Sequence, residues 1–307
     1  MTAPIGVLLL AHGAATDVAD LPRYYEHIRE GAPASPRVLE ALEHRYRAIG
    51  GGSPLNPITI SLATKLQDEL DRKHPGQFQA AVGFRHVSPF IHTTLERLEG
   101  EGMTRALGIV LSPHMSRFVT EGYRRELTAS KSRVKVELHG AWHMEPALLE
   151  HWRVAVGAAL AKLPEDRRER ARVLFTAHSL PLRAVQGDRL PDRLQESAAE
   201  VARRAGLSSD GFAHAWQSAS PTGEEWLGPD VGEMIRREAA EGTRAIVACP
   251  HGFVADHLET LYDLDIVARG VAEKEGLAFV RTTMPDDRPY LVQALADMVE
   301  RWASAPR

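Results

Sequence analysis

The sequence predicts an α/β protein with parallel sheets, laid out as two related halves. Three observations point there. Four short apolar runs lack any polar alternation, helical stretches separate them, and the ends of the runs repeat along the chain. A parallel strand covered by helices on both faces reads as an unbroken run of branched apolar residues.

The runs are Gly6-Val7-Leu8-Leu9-Leu10, Leu107-Gly108-Ile109-Val110-Leu111, Val173-Leu174-Phe175-Thr176 and Ala245-Ile246-Val247-Ala248. Helical stretches are expected at 36–48, 62–73, 89–98, 190–205 and 231–241. Strands alternating with helices belong to α/β folds. The first run continues into Ala11-His12-Gly13 and the third into Ala177-His178-Ser179. The second continues into Ser112-Pro113-His114 and the fourth into Cys249-Pro250-His251. The lead-ins to the second and fourth also match: Glu101-Gly102-Met103-Thr104-Arg105-Ala106 and Glu241-Gly242-Thr243-Arg244-Ala245. Each half is therefore read as an opening strand and a later strand, both ending in histidine. Coincidence among common strand sequences is the plain alternative. Ligands of open α/β sheets bind at the carboxyl ends of the strands. Histidines at four such ends are thus expected to serve function rather than fill a core, and a ligand cleft is expected between the halves. The halves are placed at 1–145 and 146–307, with a helix at 289–303 expected to pack back on the first.

A chain of 307 residues suits two domains and can bury a core without staples. With 44% apolar and 25% charged residues it reads as an ordinary soluble protein. A net charge of -4 gives no electrostatic reason to seek nucleic acid. Cys249 is the one cysteine, which excludes an internal disulfide, a zinc finger and an all-cysteine iron–sulfur site. A cytoplasmic setting follows as the expectation. The opening Met1-Thr2-Ala3-Pro4 lacks a basic leader region, and no apolar run is long enough for a transmembrane segment. There is no His-Glu-x-x-His for a zinc protease and no Gly-x-Gly-x-x-Gly after a strand for a nicotinamide site.

Three features carry candidate chemistry. His178 leaves a buried strand for the polar turn Ser179-Leu180-Pro181, where its ring either meets a ligand or satisfies local backbone. The segment from Gly252 to Asp263 reads as a helix on which Asp256, Glu259 and Asp263 share a face at i, i+3 and i+7. Such a ladder suits a divalent metal, or is a solvated acidic face favoured by the helix dipole. A neutral imidazole and a carboxylate together hold iron weakly and accept protons. The third feature is Arg45-Tyr46-Arg47-Ala48-Ile49-Gly50-Gly51-Gly52-Ser53-Pro54-Leu55. Backbone N–H groups, Arg45 and Ser53 could grip an anion there, or the loop is simply a helix C-cap. Arg29 and the Tyr123 hydroxyl are further candidate carboxylate partners. His44, His74, His92, His139 and His151 read as surface residues.

These stretches resemble the bacterial ferrochelatases nearly end to end. The matching segments are Tyr24-Tyr25-Glu26-His27-Ile28-Arg29, residues 45–55, Gly83-Phe84-Arg85-His86 with Pro89-Phe90-Ile91, and Ala177-His178-Ser179-Leu180-Pro181. They continue with Trp216-Gln217-Ser218, Trp226-Leu227-Gly228-Pro229-Asp230 and residues 252–263. The resemblance implies two flavodoxin-like, Rossmann-type halves of the chelatase kind enclosing a porphyrin cleft. It implies that His178 and Glu259 are the metal-facing catalytic pair, with Asp263 further along the acidic row. The likeness is greatest to the compact soluble branch that inserts ferrous iron into coproporphyrin III to give coproheme. There Arg29, Arg45, Tyr46, Ser53 and Tyr123 match positions that line the porphyrin and its propionates.

The resemblance further implies iron as a substrate, no permanent cofactor, no iron–sulfur tail and a monomer. Two departures stand out. His12 replaces a tyrosine common in that branch, where the side chain faces the porphyrin centre opposite the pair and can ligate the iron; imidazole can do the same. Val267 stands where relatives can carry an acid, which weakens an outer metal site. Protoporphyrin IX as the substrate, a chelatase for another tetrapyrrole and metal, and a non-catalytic haem carrier are the competing readings.

Overall fold

A computed structural model describes residues 4–220 and 223–305. Residues 1–3 and 307, touched by the expectations about a leader and a tail, lie outside the described residues. The chain divides into two compact units. One runs through Trp142 and includes Ala255–Leu258 and the stretch from Asp286 onward; the other comprises His143–Val254 and Glu259–Pro285.

The first unit holds β1 (Ile5–Ala11), β2 (Phe78–Phe84), β3 (Arg105–Val110) and β4 (Lys135–Leu138) in the order β2-β1-β3-β4. The second holds β5 (Ala171–His178), β6 (Phe212–Gln217), β7 (Ala245–Cys249) and β8 (Ala278–Arg281) in the order β6-β5-β7-β8. Every strand pair is parallel. The four apolar runs are β1, β3, β5 and β7, the inner strands of both sheets. An inner strand has neighbours on both edges and helices on both faces, so nearly all its residues are buried. The outer strands carry no such run: β4 alternates exposed and half-buried residues, and β8 has a single buried one.

The helices are α1 (Leu21–Ile28), α2 (Pro36–Ala48), α3 (Leu55–Lys73), α4 (Ile91–Gly100), α5 (Arg117–Ala129), α6 (Pro146–Ala161), α7 (Glu165–Arg168), α8 (Leu182–Val185), α9 (Leu190–Ala205), α10 (Val231–Ala240), α11 (Arg269–Lys274) and α12 (Pro289–Ser304). Helix α3 starts a full two turns before the expected 62, because Pro57 is tolerated within a first turn where its missing N–H has no helical partner. Helix α4 starts two residues after 89: Pro89 is instead held in strand-like pairing, its carbonyl accepting the Phe84 N–H at 2.9 Å. The second unit repeats that contact, with Trp216 N–H donating to the Pro229 carbonyl at 2.9 Å. In each unit the next residue makes a parallel bridge back to the same strand end, Phe90 to Phe84 and Asp230 to Trp216. The duplication read from strand ends therefore extends to sheet order and to the strand-to-helix turns. Helix α12 packs on α3 within the first unit, joined by Lys73–Glu300 at 3.0 Å, and Lys65 of α3 pairs with Asp287, just before α12, at 2.6 Å.

Three expectations fail. His114 and His251 are 2% and 1% exposed, so two of the four strand-end histidines fill cores after all. The His251 Nε2 bonds the Leu194 carbonyl at 3.0 Å and its ring packs edge-on to Phe175. His151, expected at the surface, is buried and bonds the Thr283 carbonyl at 3.1 Å. Finally, 252–263 is not one helix. Helical structure begins only at Leu258, and from Thr260 to Ala268 it is a π-helix. Asp256 lies before it, its N–H held by Asp286 at 2.8 Å, and so shares no helical face with Glu259 and Asp263.

Candidate active site

His178 is the last residue of β5, the strand flanked by β6 and β7. The turn after it is fixed by Ser179, which is fully buried. The Ser179 N–H donates to the Gln217 carbonyl at 2.8 Å and its hydroxyl to the Leu227 carbonyl at 2.7 Å. Gly252 crosses β5 so closely that a Cβ there would lie 2.5 Å from Ala177 Cβ and 2.8 Å from Ala177 Cα. Glycine is required for this approach, and Gly252 N–H bonds the Thr176 carbonyl at 3.1 Å.

Glu259 stands at the start of the π-helical stretch. Such i→i+5 turns are rare and often occur at functional sites. Gln217, 1% exposed, ties it to the sheet: its Nε2 donates to the Glu259 carbonyl at 3.1 Å, while its Oε1 accepts from Thr176 Oγ1 at 2.9 Å. Ser218 takes a positive φ of 64°, a cost of about 1 kcal/mol or more for a residue with a Cβ, and its hydroxyl donates to Asp263. Gln217 and Ser218 entered the sequence reading only as part of a motif. Their supporting roles depend on which backbone atoms they reach, and that has no periodic signature.

The outcome is a pair: His178 Nε2 lies 3.3 Å from Glu259 Oε1, with the side chains 35% and 27% exposed. His178 Nδ1 donates to the Ser179 carbonyl, since a carbonyl can only accept. In the neutral ring, Nε2 then carries a lone pair aimed at a carboxylate. Two electron-rich atoms at that distance need a proton or a metal cation between them. Burial opposes charge on the imidazole, but the Glu259 carboxylate, its hydrogen bond, the Ser179 carbonyl and the Asp263 carboxylate outweigh it and push His178 up to about 9. The pair is thus built to hold one exchangeable cation. Among the described residues, no group of three or more His, Cys, Asp or Glu side chains is arranged to hold a metal ion.

The other predicted residues lie in the first unit. His12 follows β1, with its ring 4.3 Å from that of His86 and its Nδ1 bonded to the Gly13 carbonyl at 3.0 Å. His86 is buried, and burial, with His12, Arg85 and His27 nearby, lowers it to about 3. His27 bonds it at 3.1 Å, a contact the sequence did not suggest. Asn56 clamps the loop after His12: its Nδ2 donates to the Ala14 carbonyl at 2.8 Å and its Oδ1 accepts the Ala14 N–H at 3.0 Å.

The glycine loop packs on the same segment. Ser53 N–H bonds the Ala15 carbonyl at 3.1 Å, and a Cβ on Gly52 would meet the Thr16 carbonyl oxygen at 2.0 Å. The Gly50 and Gly51 N–H groups bond the Arg47 and Tyr46 carbonyls, so the loop is a helix C-cap and these amides are not an anion grip. Tyr46 and Ser53 are buried, Arg45 is half-buried, and Arg29 is exposed at the end of α1 beside Tyr25. Tyr123 is buried in the core, burial raising its hydroxyl well above the usual range, with the Arg85 guanidinium 5.4 Å from its ring centre. Tyr46 and Ser53 thus join the loop after His12, while Tyr123 lies on α5 and Arg29 directly follows α1.

The comparisons with known proteins agree with this geometry. The chain is 40% identical over 305 residues to a coproporphyrin III ferrochelatase of Geobacillus kaustophilus, covering 97% of this chain and 96% of that protein. It is 38% identical over 301 residues to the coproporphyrin III ferrochelatase of Bacillus subtilis, covering 96% of each. Among solved structures, SirB from Bacillus subtilis with Fe3+ matches with a TM-score of 0.59 at 11% identity, over 98% of this chain and 96% of that one. CbiX, described as the terminal enzyme of sirohaem biosynthesis in denitrifying bacteria, matches with a TM-score of 0.51 at 15% identity over 98% of this chain and 100% of that one. At such identities these two speak for the fold alone. The ferrochelatase family model matches residues 4–303. A duplicated parallel-sheet scaffold, a histidine–carboxylate pair at a strand end and a match over almost the whole chain together show that this protein belongs to the ferrochelatase family.

Proposed function

We propose that this chain inserts ferrous iron into coproporphyrin III, giving coproheme for haem biosynthesis. The carrying observation is the His178–Glu259 pair, 3.3 Å apart at the end of β5. The choice of porphyrin follows the relatives at 36 to 40% identity named for coproporphyrin III.

Insertion exchanges one ferrous ion for two pyrrole protons. The free pair holds a proton, which leaves to water when iron takes its place between Nε2 and Oε1. Two ligands hold iron weakly enough to surrender it to four pyrrole nitrogens. As iron moves on, the vacated lone pairs take back one pyrrole proton, and the second passes to water at the exposed edge of the pair. Asp263, held by Ser218, adds negative charge that favours both cations. In the first unit, Arg29, Arg45, Ser53 and Tyr123 are assigned to the porphyrin carboxylates, Tyr46 to the macrocycle and His12 to the iron of the product. Tyr123 remains a protonated donor because burial raises its hydroxyl.

The reaction is read as needing no resident cofactor or iron–sulfur cluster, Cys249 being a lone, buried thiol that burial pushes up. No helix among the described residues is long and apolar enough to cross a membrane. A cytoplasmic monomer is the working form, taking porphyrin and iron but no nucleic acid.

Parallel anaerobic metallation of coproporphyrin III and protoporphyrin IX with ferrous iron tests the reading. One charge-assisted hydrogen bond to an additional propionate contributes ~1.5–3 kcal/mol, so kcat/KM is expected to favour coproporphyrin by roughly tenfold or more. A preference for protoporphyrin, or turnover of neither, rejects it.

A further inference from the structure

The first unit has a cavity at the opposite end of its sheet from His12. It encloses about 390 Å³, and its walls include Arg105, Lys135, Glu137 and Trp302. Arg105 is the first residue of β3 and Lys135 the first of β4, whereas His12 follows the end of β1, which runs parallel to β3. Arg105 and Lys135 are paired directly across the two parallel strands. Like charges placed so repel each other. The Arg105 guanidinium carbon lies 4.6 Å from the centre of the Trp302 ring. Stacking engages the flat face of a guanidinium, while its N–H groups point outward in its plane. Two of those nitrogens, Nε and Nη2, are shut off from solvent without a hydrogen-bond partner among the described residues. The charge on Arg105 is thus partly desolvated, and no acceptor in the fold offsets the cost. Glu137, two residues further along β4, supplies one carboxylate against two cations. The cavity is the size of a small-molecule site, with room for more than a single oxyanion.

We propose that this cavity binds a small organic anion, whose carboxylate or phosphate group lies between Arg105 and Lys135 with its apolar body along the Trp302 indole. Such an anion neutralises the paired cations and offers acceptors to a guanidinium that lacks them. The site is separate from the His178–Glu259 pair and from the residues assigned to the porphyrin, so it stands or falls independently of the iron-insertion reading.

The test uses the full chain with benzoate and phenyl phosphate as probes, followed by the indole N–H signals of the five tryptophans in proton–nitrogen NMR. The Trp302 signal is assigned by its loss in Trp302→Phe. In the wild type it is expected to shift saturably with at least one probe at millimolar concentration, and the tighter probe identifies the head group. Arg105→Gln should weaken binding roughly tenfold or more, the loss of a charge-assisted hydrogen bond. Lys135 and Glu137 are exposed, so their substitution leaves the core untouched. Lys135→Gln should weaken binding about twofold to fivefold, and Glu137→Gln, which removes a repelling charge, should tighten it by a similar factor. A Trp302 signal that shifts with neither probe overturns the proposal. So does unchanged affinity in both Lys135→Gln and Glu137→Gln.

Discussion

Replacing Glu259 by Gln removes one charge from the site and almost no volume, so its effect can be worked from the geometry. At 3.3 Å, the Coulomb attraction between unit charges is ~1 kcal/mol in bulk water and ~5 kcal/mol at an effective dielectric constant of about 20. With the side chains 35% and 27% exposed, screening places the pair toward the lower end, ~1–2 kcal/mol. About 1.4 kcal/mol corresponds to one pH unit, so His178 should fall by about one unit from its value of about 9. Burial, the largest influence on this ring, then works with less opposition.

Since the folded-state value in the wild type lies above the unfolded one, the charged imidazole stabilises the fold fully below pH 6.5. That stabilisation is lost as pH rises through about 9. Glu259→Gln should flatten this alkaline decline while leaving the protein folded. Turnover should fall roughly a hundred- to ten-thousand-fold, the range for losing a positioned proton acceptor. Nitrogen-15 histidine titration of the free protein reads the first effect, and anaerobic iron insertion the second. Near-wild-type turnover in a folded variant, or an unmoved His178 titration, refutes the assignment of the pair.

Gly252→Ala places a Cβ 2.5 Å from Ala177 Cβ and against backbone. It should cost about 1–3 kcal/mol, seen as a lower urea midpoint, and reduce iron insertion by moving the strand end that carries His178. Asn56→Ala removes both hydrogen bonds that hold buried Ala14. At ~1–3 kcal/mol for each unsatisfied backbone group, a destabilisation of about 2–6 kcal/mol is expected by chemical denaturation. His251 is buried and lowered from 6.5 to about 3, chiefly by desolvation. The unfolded chain takes a proton there well before the folded one, so stability is full above 6.5 and falls as pH drops toward 3. This loss amounts to about 2 kcal/mol near pH 5. Urea titrations should show a shallower acid decline in His251→Gln, whose amide can still donate to the Leu194 carbonyl.

The sequence by itself determined the inner half of each sheet. Strands β1, β3, β5 and β7 are covered on both faces and paired on both edges, and a segment confined to such surroundings must be apolar throughout. The outer strands have one free edge and partly exposed faces, so β2, β4, β6 and β8 were not legible. The repeated Ala-His after the opening strands marked His12 and His178 for the same reason: a residue directly after a buried strand has its position set by the strand. Local pattern carried no information about what surrounds such a residue. His114 and His251 also lie near the ends of inner strands, as His12 and His178 do, yet α9 covers His251 through the Leu194 carbonyl, and the first unit's core encloses His114. The acidic row looked like a helix face because spacing along a chain assumes an unbroken helix. The structure starts the helix at Leu258 and winds it as a π-helix, leaving Asp256 outside. Only the tertiary fold brought Glu259 to His178, through Gln217 and the close crossing of Gly252. Hydrogen bonds between residues 42 apart and a steric gap that admits no Cβ are properties of packing, and no local run of residues encodes them.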